Sequence, residues 1–309
     1  MRTRGPGSRG HTWRALAGWG FGLGRRAARL LAVAAVLVLT ACGSGDEAHH
    51  DTGRPFVPSL GADRATLWAV GDGSADERGG AMVDRLAAGP LDRLLYLGDV
   101  YDDGTREEFF DGYASTYGRL ASRTAPTPGN HDWPNEAEGY TPYWSGVRGS
   151  PAPGWYAFRA GGWEVLSLNS QEPHDEGSAQ ERWLREQVRA GGTCRIAFWH
   201  RPRFSAGEDH GDQDDMEPLW DALRGRATIV LSGHEHNMQR FAPVDGLTQF
   251  VSGAGGRSLY DLEDPSRLAF GNASDDGALR LDLRPGSATF AFVAVDGRVL
   301  DRGVLRCRS

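Results

Sequence analysis

The chain has 309 residues, of which 39% are hydrophobic, 10% aromatic and 24% charged, and its formal net charge is −7. This composition can bury a full core as one large domain or two small ones, and it excludes a disordered protein. Residues 1–42 hold seven arginines and no acid, so the rest of the chain carries 27 arginines against 41 acids, a net charge of −14, which argues against nucleic-acid binding through a basic face.

The N-terminal segment is typical of an exported protein. Its apolar run LLAVAAVLVLT, residues 30–40, is too short to cross a bilayer comfortably and leads into small residues. The tetrapeptide LTAC, residues 39–42, resembles a bacterial lipobox. The resemblance implies a signal peptide over residues 1–42, lipidation at Cys42 and a protein anchored at the cell surface. The alternatives are an ordinary signal peptide cleaved nearby, which would release a secreted protein, and a start codon placed too early.

The rest of the chain is predicted to be a tether and one domain. Residues 43–60 are rich in Gly, Ser, Asp and Pro, as in a flexible linker. Residues 61–309 contain no internal repeat and no second low-complexity break, which favours one domain. Cys194 and Cys307 could form a disulfide in an oxidising compartment, or they could be two free buried thiols, and their spacing alone does not decide between these alternatives.

Short apolar segments with strand propensity recur along the predicted domain. They lie at residues 65–70, 93–98, 154–160, 163–169, 195–200, 227–233, 248–255, 278–283 and 288–297. Residues 104–120 carry helical spacing, and a second helix is predicted to begin with a capping box of Ser178 and Glu181 and to end at the glycines that follow. This order predicts an α/β fold with two mixed sheets in a layered sandwich.

Several of these strands end in a burst of polar residues. The bursts contain Asp72, Asp99, His200, and the pair His234 and His236, while the segment PTPGNHDW adds Asn130 and His131. Because strand ends line the ligand crevice of open α/β sheets, these side chains can converge on one point. Carboxylate, imidazole and amide ligands without a thiolate suit iron, manganese, zinc or a mixed pair.

Each motif alone is common, since GD often caps a turn and a lone GHxH is as often a polar turn as a metal site. Their joint order, GD, GD, GNHD, a strand followed by histidine, and GHEH, resembles the calcineurin-like metallophosphoesterase superfamily over residues 65–240. The resemblance implies a four-layer αββα sandwich around two mixed β-sheets and a centre of two metal ions. It implies these ligands: Asp72, Asp99 and His236 for one metal, and Asp99, Asn130, His200 and His234 for the other, with Asp99 as the bridge.

The first motif, GDGS, has Ser74 where many members of the superfamily have a ligand histidine. Purple acid phosphatases also lack that histidine and use a tyrosinate from a GDxxY motif, which GDVYDDG resembles. Tyr101 lies two residues after Asp99 rather than three, so a ligand role for Tyr101 requires that one residue was deleted before it. In the alternative, Tyr101 is packed or hydrogen-bonded, and Asp102 orients His131.

Two histidines resemble catalytic residues of the purple acid phosphatases. The likeness implies that His131 gives a proton to the leaving group and that His210, in WHRPRFSAGEDHGD, faces the substrate; a solvated loop histidine is the alternative for His210. Asp102 and Asp132 are expected to fix the orientation of the histidines from behind.

The predicted function is metal-dependent phosphoester hydrolysis, best matched by an acid-phosphatase-like phosphomonoesterase. Two ions, iron with iron, zinc or manganese, would generate a hydroxide for in-line attack on phosphorus. One alternative is a metallophosphodiesterase acting on a cyclic nucleotide or a glycerophosphodiester, and another is a non-catalytic surface binding lipoprotein. The expected partner is a small phosphate ester, with no nucleic acid and with membrane contact only through the lipid anchor. The physiological substrate and the oligomeric state are not determined by the sequence.

Overall fold

Two β-sheets packed face to face form the centre of the molecule. The computed structural model describes residues 55–308, so the predicted signal peptide, the lipidation site at Cys42 and most of the linker lie outside the described residues. Phe250 of one sheet contacts Phe290 of the other, with ring centroids 5.1 Å apart. Among residues 55–308, none of the helices combines the length and the apolar character that a bilayer span requires.

Both sheets are mixed. The strands of the first sheet lie in the order β13 (Val299–Arg306), β12 (Ser287–Ala294), β11 (Gly277–Arg284), β1 (Ala65–Val70), β2 (Arg93–Tyr96) and β3 (Thr124–Pro126). Those of the second lie in the order β10 (Leu268–Asn272), β8 (Met238–Phe241), β9 (Thr248–Ser252), β7 (Ile229–Ser232), β6 (Arg195–Phe198), β5 (Trp163–Ser167) and β4 (Tyr156–Ala160). Strands β1 to β3 run parallel to one another, as do β5, β6, β7 and β9, and the other pairings are antiparallel.

Central strands of the second sheet are buried on both faces. Ile229 and Leu231 of β7 lie in the core between the sheets, while Val230 lies in an outer hydrophobic cluster. Leu184 and Trp220, on two helices that cover this sheet, belong to the same outer cluster. Because side chains alternate between faces along a strand, a strand covered on both sides needs a continuous apolar run, as the sequence IVLS has. The predicted sandwich of two mixed sheets flanked by helices is confirmed.

The α-helices of the described residues are α1 (Glu77–Ala87), α2 (Tyr140–Arg148), α3 (Ala179–Gln187) and α4 (Glu217–Leu223). The predicted start of α3 is confirmed, since the Ser178 side chain accepts a hydrogen bond from the Glu181 backbone N–H at 3.1 Å. The Glu181 carboxylate reaches back to the backbone N–H of Gly177 rather than to that of Ser178. The bond from the glutamate side chain therefore reaches the residue before the N-cap instead of the N-cap itself.

The helical spacing predicted over residues 104–120 is confirmed in part, because residues 106–115 and 117–123 are helical with a break at residue 116. The middle of the first helix is a π-helical turn, Glu108–Tyr113, and the second helix is a 3-10 helix, Tyr117–Arg123. The Tyr101 ring packs against this segment so closely that a Cβ on Gly112 would lie 2.7 Å from it. The Tyr101 ring therefore packs against the π-helical part of the segment, and such π-helical insertions are frequent near functional sites.

The flexible linker predicted over residues 43–60 extends too far. Phe56 and Val57 are buried in the hydrophobic core, at 9% and 1% exposure, and the Leu60 backbone N–H donates to the Arg159 carbonyl at 2.7 Å. The prolines and glycine around this pair suggest a linker, but two adjacent apolar side chains are enough to dock the segment. The folded unit therefore begins before residue 61.

Cys194 and Cys307 form a disulfide, which resolves the alternative that the sequence leaves open. The bond joins the residue before β6, in the second sheet, to the residue after β13, the outer strand of the first. The backbone N–H of Thr193 also donates to the Arg308 carbonyl at 2.5 Å. The C-terminus is thus fastened to the opposite sheet.

Candidate metal centre and active site

The predicted metal ligands follow the carboxyl ends of strands from both sheets. Asp72 follows β1, Asp99 follows β2, Asn130 and His131 follow β3, His200 follows β6, and His234 and His236 follow β7. Because β1 to β3 are parallel neighbours and β6 pairs with β7, these ends meet at a common edge. Several contacts join the sheets there. For example, His200 Nδ1 donates to the Leu97 carbonyl at 2.7 Å, and the His234 backbone N–H donates to Asp72 Oδ2 at 2.9 Å.

One group of possible ligand atoms surrounds His200 Nε2. This atom lies 3.2 Å from Asp99 Oδ2, 3.0 Å from Asn130 Oδ1 and 3.1 Å from His234 Nδ1. The ligand atoms of Asp99, His200 and His234 lie within 4.8 Å of one another. The Leu97 carbonyl accepts from Nδ1, which leaves Nε2 to face the cluster. The structure therefore brings together the four residues predicted for the second metal.

The electrostatics of this group favour a cation. Burial alone lowers the pKa of His200, but the neighbouring carboxylates of Asp99 and Asp72 raise it to about 9. For His234, burial and the nearby His200 together move the pKa far below its ordinary value. Without a metal, a proton on His200 is therefore the positive charge of this cluster. Replacement of that proton by a metal ion would leave neutral imidazoles and a carboxylate as ligands.

A second group contains Asp72 and His236. Asp72 Oδ1 is buried, has no hydrogen-bond partner among the described residues and lies 3.6 Å from His236 Nε2. His236 Nδ1 donates to the Ser258 carbonyl at 2.9 Å, so Nε2 faces the carboxylate. Burial raises the pKa of Asp72 well above its ordinary value and lowers that of His236 to about 4. A buried carboxylate oxygen without a partner is costly unless a cation satisfies it, so these residues fit a metal ion.

The turns that carry the ligands are conformationally strained. Asp72, Asp99 and His234 have positive φ angles of 57°, 58° and 74°. Side chains other than glycine rarely adopt this region, and such strain concentrates at functional sites. Gly129 gives room for one of these turns, because a Cβ there would lie 1.9 Å from Asp99 Oδ1. The chain therefore keeps unfavourable backbone angles where they direct ligand groups toward one another.

Asp132 supports the site through the backbone. Its carboxylate accepts hydrogen bonds from the backbone N–H groups of Asp99, Val100 and Gly129 at 2.9, 2.7 and 2.8 Å. Burial and the charge of Asp99 raise the pKa of Asp132 to about 7. Asp132 thus holds two ligand turns together, whereas the sequence predicted that it would orient a histidine.

Tyr96 is a further supporting residue. From the sequence it was predicted only to lie in a strand. Its hydroxyl accepts from the Gly73 backbone N–H at 3.2 Å and donates to the Asp99 carbonyl at 3.0 Å. It therefore bridges the turn after Asp72 and the turn of Asp99. Tyr113 packs edge-on against the same ring at 5.1 Å and is also fully buried, yet its hydroxyl has no partner among the described residues.

We expect Tyr96→Phe to weaken metal binding about tenfold or more, because residues behind metal ligands typically contribute that much. Titration calorimetry with Zn²⁺ or Mn²⁺ measures the effect. Tyr113→Phe is the matched control, since it removes a hydroxyl from the same aromatic cluster without removing a hydrogen bond. Equal metal affinities for Tyr96→Phe and the wild type would contradict the bridging role.

Tyr101 lies beside the centre, but its hydroxyl is engaged elsewhere. The hydroxyl lies 2.8 Å from Thr116 Oγ1 in a buried hydrogen bond, and burial raises the pKa of Tyr101 to about 12. A tyrosinate ligand would have to leave this partner and lose its proton. This geometry favours the alternative in which Tyr101 is packed and hydrogen-bonded. The ligand role stays a prediction, and an iron-loaded protein without a tyrosinate charge-transfer band would contradict it.

His131 stands at the edge of the centre. Its Nε2 lies 4.0 Å from Asp99 Oδ2, and its side chain is 47% exposed. Its Nδ1 lies 2.5 Å from the backbone carbonyl of Asp102, while the carboxylate of Asp102 pairs with Arg257. Asp102 therefore orients His131 as the sequence alternative proposed, but through its carbonyl rather than its side chain.

His210 lies against a predicted ligand. Its ring stacks on that of His234 with centroids 4.0 Å apart and an interplanar angle of 22°. Glu235, between the two histidines of GHEH, accepts from the backbone N–H groups of His210 and Gly211 at 3.0 and 2.8 Å. Glu235 was not singled out in the sequence, although its place within the motif was a usable signal.

A small cavity of about 90 Å³ opens beside the ligands. It is lined by Asp99, Tyr101, His131, His236, Arg257 and Tyr260. The Tyr260 ring stacks on His236 at 3.9 Å, which fixes the plane of that imidazole. Arg257 and Tyr260 belong to the segment GAGGRSLY after β9, where no motif or periodicity marked them.

Comparisons with known proteins agree with this architecture. The family model for calcineurin-like phosphoesterases matches residues 75–238. Purple acid phosphatase 21 of Arabidopsis thaliana is 25% identical over 182 residues, which cover 52% of this chain and 41% of that protein. The chain spans less than half the length of the curated relatives that it matches.

Two solved structures share the fold. GAP50, the anchor in the inner membrane complex of Plasmodium, matches with a TM-score of 0.64 and 14% identity over 80% of this chain and 90% of that one. Purple acid phosphatase PPD1 of yellow lupin, Lupinus luteus, matches with a TM-score of 0.59 and 17% identity over 82% and 55%. Together with the ordered strand-end motifs, the match of the family model over half the chain shows that this protein belongs to the calcineurin-like phosphoesterase family.

Proposed function

We propose that this protein is a metal-dependent phosphoester hydrolase that acts on phosphomonoesters at a two-metal centre. The observation that carries the proposal is the convergence of Asp99, His200 and His234 within 4.8 Å, next to the unpartnered buried oxygen of Asp72. The similarity to purple acid phosphatases supports a phosphatase in particular. The full set of predicted ligands in one place argues against a non-catalytic binding protein with a decayed site.

Two groups of residues would hold the metals. Asp72, Asp99 and His236 would bind one ion, and Asp99, Asn130, His200 and His234 would bind the other, with Asp99 shared. When bound, such a pair would stabilise negative charge on the phosphoryl group and would make a water molecule acidic enough to lose a proton and attack phosphorus as hydroxide. The oxygen and nitrogen ligands suit iron, zinc or manganese, and iron with one of these three is the proposed pair.

The histidines beside the ligands would handle the leaving group and the substrate. The Asp102 carbonyl holds His131 Nδ1, and this contact directs Nε2 toward Asp99 and the cavity. A proton on Nε2 can pass from there to the departing alkoxide, which is a poor leaving group without it. His210, stacked on His234, is placed to contact a phosphoryl oxygen.

The function is tested by hydrolysis of 4-nitrophenyl phosphate and bis(4-nitrophenyl) phosphate with purified protein loaded with iron, zinc or manganese, and with a chelated sample as control. We expect faster metal-dependent turnover of the monoester. Preferred turnover of the diester would instead support the metallophosphodiesterase alternative. Turnover of neither ester with any of the metals would contradict an enzymatic role.

We expect His131→Ala to retain its metals and to lose turnover by about 10² to 10⁴ for esters with poor leaving groups, because general acid catalysis typically contributes this factor. Hydrolysis of 4-nitrophenyl phosphate should fall much less, since nitrophenolate leaves without a proton. Elemental analysis measures the metal content. Turnover of an alkyl phosphate and of 4-nitrophenyl phosphate measures how the loss depends on the leaving group. Loss of metal from the variant would show that His131 is instead a ligand or a support.

We also propose export and lipid anchoring at Cys42, followed by a short tether before the folded domain. The disulfide supports this location, because such bonds persist in oxidising compartments. Cys42→Ser in the full-length protein is expected to move it from the membrane fraction to the soluble fraction of cells. An unchanged distribution of the variant between the fractions would contradict lipid anchoring at this residue.

A further inference from the structure

Arg257 is the one arginine that lines the small cavity beside the proposed metal ligands. Its position is set by the site itself, because its backbone N–H donates to the Asp72 carbonyl at 3.2 Å. The preceding residue, Gly256, pairs with Gly73 in an isolated β-bridge and has a φ of 131°, which a side chain would rarely tolerate. The turn of one proposed ligand and the backbone of Arg257 are therefore held together.

The Arg257 side chain forms an ion pair that is exposed to water. Its guanidinium pairs with the Asp102 carboxylate, and the two side chains are 33% and 66% exposed. An ion pair this exposed contributes little to stability, because water screens both charges. The planar guanidinium is well suited to two parallel hydrogen bonds with a phosphoryl group, and charge-assisted pairs of this kind are stronger. Phosphate would therefore compete effectively for this arginine.

The other groups that line the cavity define what could occupy it. Asp99 and His236 are proposed metal ligands, and His131 is the proposed proton donor. A volume of about 90 Å³ corresponds to a few water molecules, so the cavity suits a group no larger than a phosphoryl group. Arg257 is the residue among these six whose charge is positive at every accessible pH.

We propose that Arg257 is a phosphate-binding residue of this site, which releases Asp102 and binds non-bridging oxygens of the substrate's phosphoryl group. The proposal rests on the proposed phosphoesterase function. A monoester has three non-bridging oxygens and up to two negative charges, whereas a diester has two oxygens and one charge. Arg257 therefore favours monoesters. Asp102 connects this residue to the proton donor, because its carboxylate contacts Arg257 and its carbonyl contacts His131.

The test compares Arg257→Met, Arg257→Lys and wild type as full-length, metal-loaded proteins. Titration calorimetry with inorganic phosphate gives the dissociation constant, steady-state kinetics give KM and kcat for both nitrophenyl esters, and elemental analysis gives the metal content. We expect Arg257→Met to keep its metals, to bind phosphate at least about tenfold more weakly and to raise KM for the monoester more than for the diester. Arg257→Lys should recover part of the loss, because it keeps the charge without the planar fork.

Two further variants serve as controls. Asp102→Asn should bind phosphate at least as tightly as wild type, since it frees the arginine and removes a negative charge. Arg78→Met is the matched control, because Arg78 forms a comparable ion pair with Asp276, has a 39% exposed side chain and does not line the cavity. It should leave the affinity for phosphate unchanged.

Each remaining outcome decides the question. Unchanged phosphate affinity in Arg257→Met, or loss of its metals, would overturn the proposal, the latter by showing that Arg257 only supports the Asp72 turn. Phosphate binding that depends on Arg257 in a protein that hydrolyses neither ester would support this inference while contradicting the proposed function. A metal-loaded wild type that does not bind phosphate would overturn both.

Discussion

Asp99→Asn is expected to lower phosphoester hydrolysis by at least about a thousandfold and to release metal from the protein. The reason is that Asp99 is the one carboxylate proposed to serve both metals. Metal ions stabilise the charge of the transition state by several kcal/mol, and each 1.36 kcal/mol corresponds to about a factor of ten in rate. Asparagine has nearly the same shape but carries no charge, so the variant tests the charge rather than the packing.

The surroundings of Asp99 hold its carboxylate in place and keep water away from it. Asp99 Oδ1 accepts from the His131 backbone N–H at 2.9 Å, and Oδ2 faces His200 Nε2 at 3.2 Å. Asp99 is only 5% exposed, so water cannot take over its role. Elemental analysis after dialysis and turnover of 4-nitrophenyl phosphate measure the two expected losses.

Asp245→Asn is a suitable control for this variant. Asp245 also has a positive φ, 54°, but it lies in the connection between β8 and β9, outside the ligand clusters. Asparagine tolerates this backbone region as well as aspartate does, so the fold, the metals and the activity should be preserved. Full metal content and normal turnover in Asp99→Asn would contradict the two-metal assignment built on this carboxylate.

Removal of the disulfide is expected to lower the free energy of unfolding by about 2 to 5 kcal/mol. Cys194 and Cys307 are 113 residues apart, so the bond closes a long loop and restricts the unfolded chain strongly. In the native state it also holds the strand at the outer edge of the first sheet, where Val299 and Val304 are 55% and 57% exposed. Loss of the bond should therefore loosen β13 first.

Urea unfolding of the double variant Cys194→Ser and Cys307→Ser, compared with wild type, measures the loss of stability. A reducing agent should destabilise wild type by a similar amount and leave the variant unchanged, which serves as the control. Activity of the folded variant should persist, because Cys194 precedes β6 whereas the site lies at the opposite end of that strand. Equal unfolding free energies for the two proteins would show that the bond contributes nothing to stability.

Much of the central fold could be predicted because the hydrophobic patterns that specify it lie within single short segments of the chain. Strands such as β1, β6 and β7 are buried on both faces, and burial of this kind requires unbroken apolar runs that are visible without the structure. The strands that were missed, β3, β8, β10 and β13, lack this signal. The three residues of β3 are too short for a pattern, and β13 lies at an edge with alternate side chains exposed. Edge strands are stabilised by their neighbour rather than by their own hydrophobicity.

The candidate ligands were also visible in the sequence, because most of them closely follow a buried apolar strand and Asn130 lies in the GNHD motif. Roles that depend on which way a side chain points could not be predicted from the sequence. Tyr101 follows Asp99 in a motif that resembles that of a ligand tyrosine, yet its hydroxyl lies against Thr116. Whether a side chain points at a metal or at a threonine depends on the local φ, 87° for Tyr101, and on how the helical segment that follows it in the chain packs against it.

The sequence by itself determined the family, the ordered strand ends and the chemical types of the ligands, since hydrophobic periodicity and short motifs are properties of neighbouring residues. Only the tertiary structure decided which groups meet. It placed Tyr96 between two ligand turns, Asp132 behind them, Arg257 over the cavity, and Cys194 against Cys307. These contacts join residues far apart in the chain, and their formation depends on the pairing and packing of whole sheets.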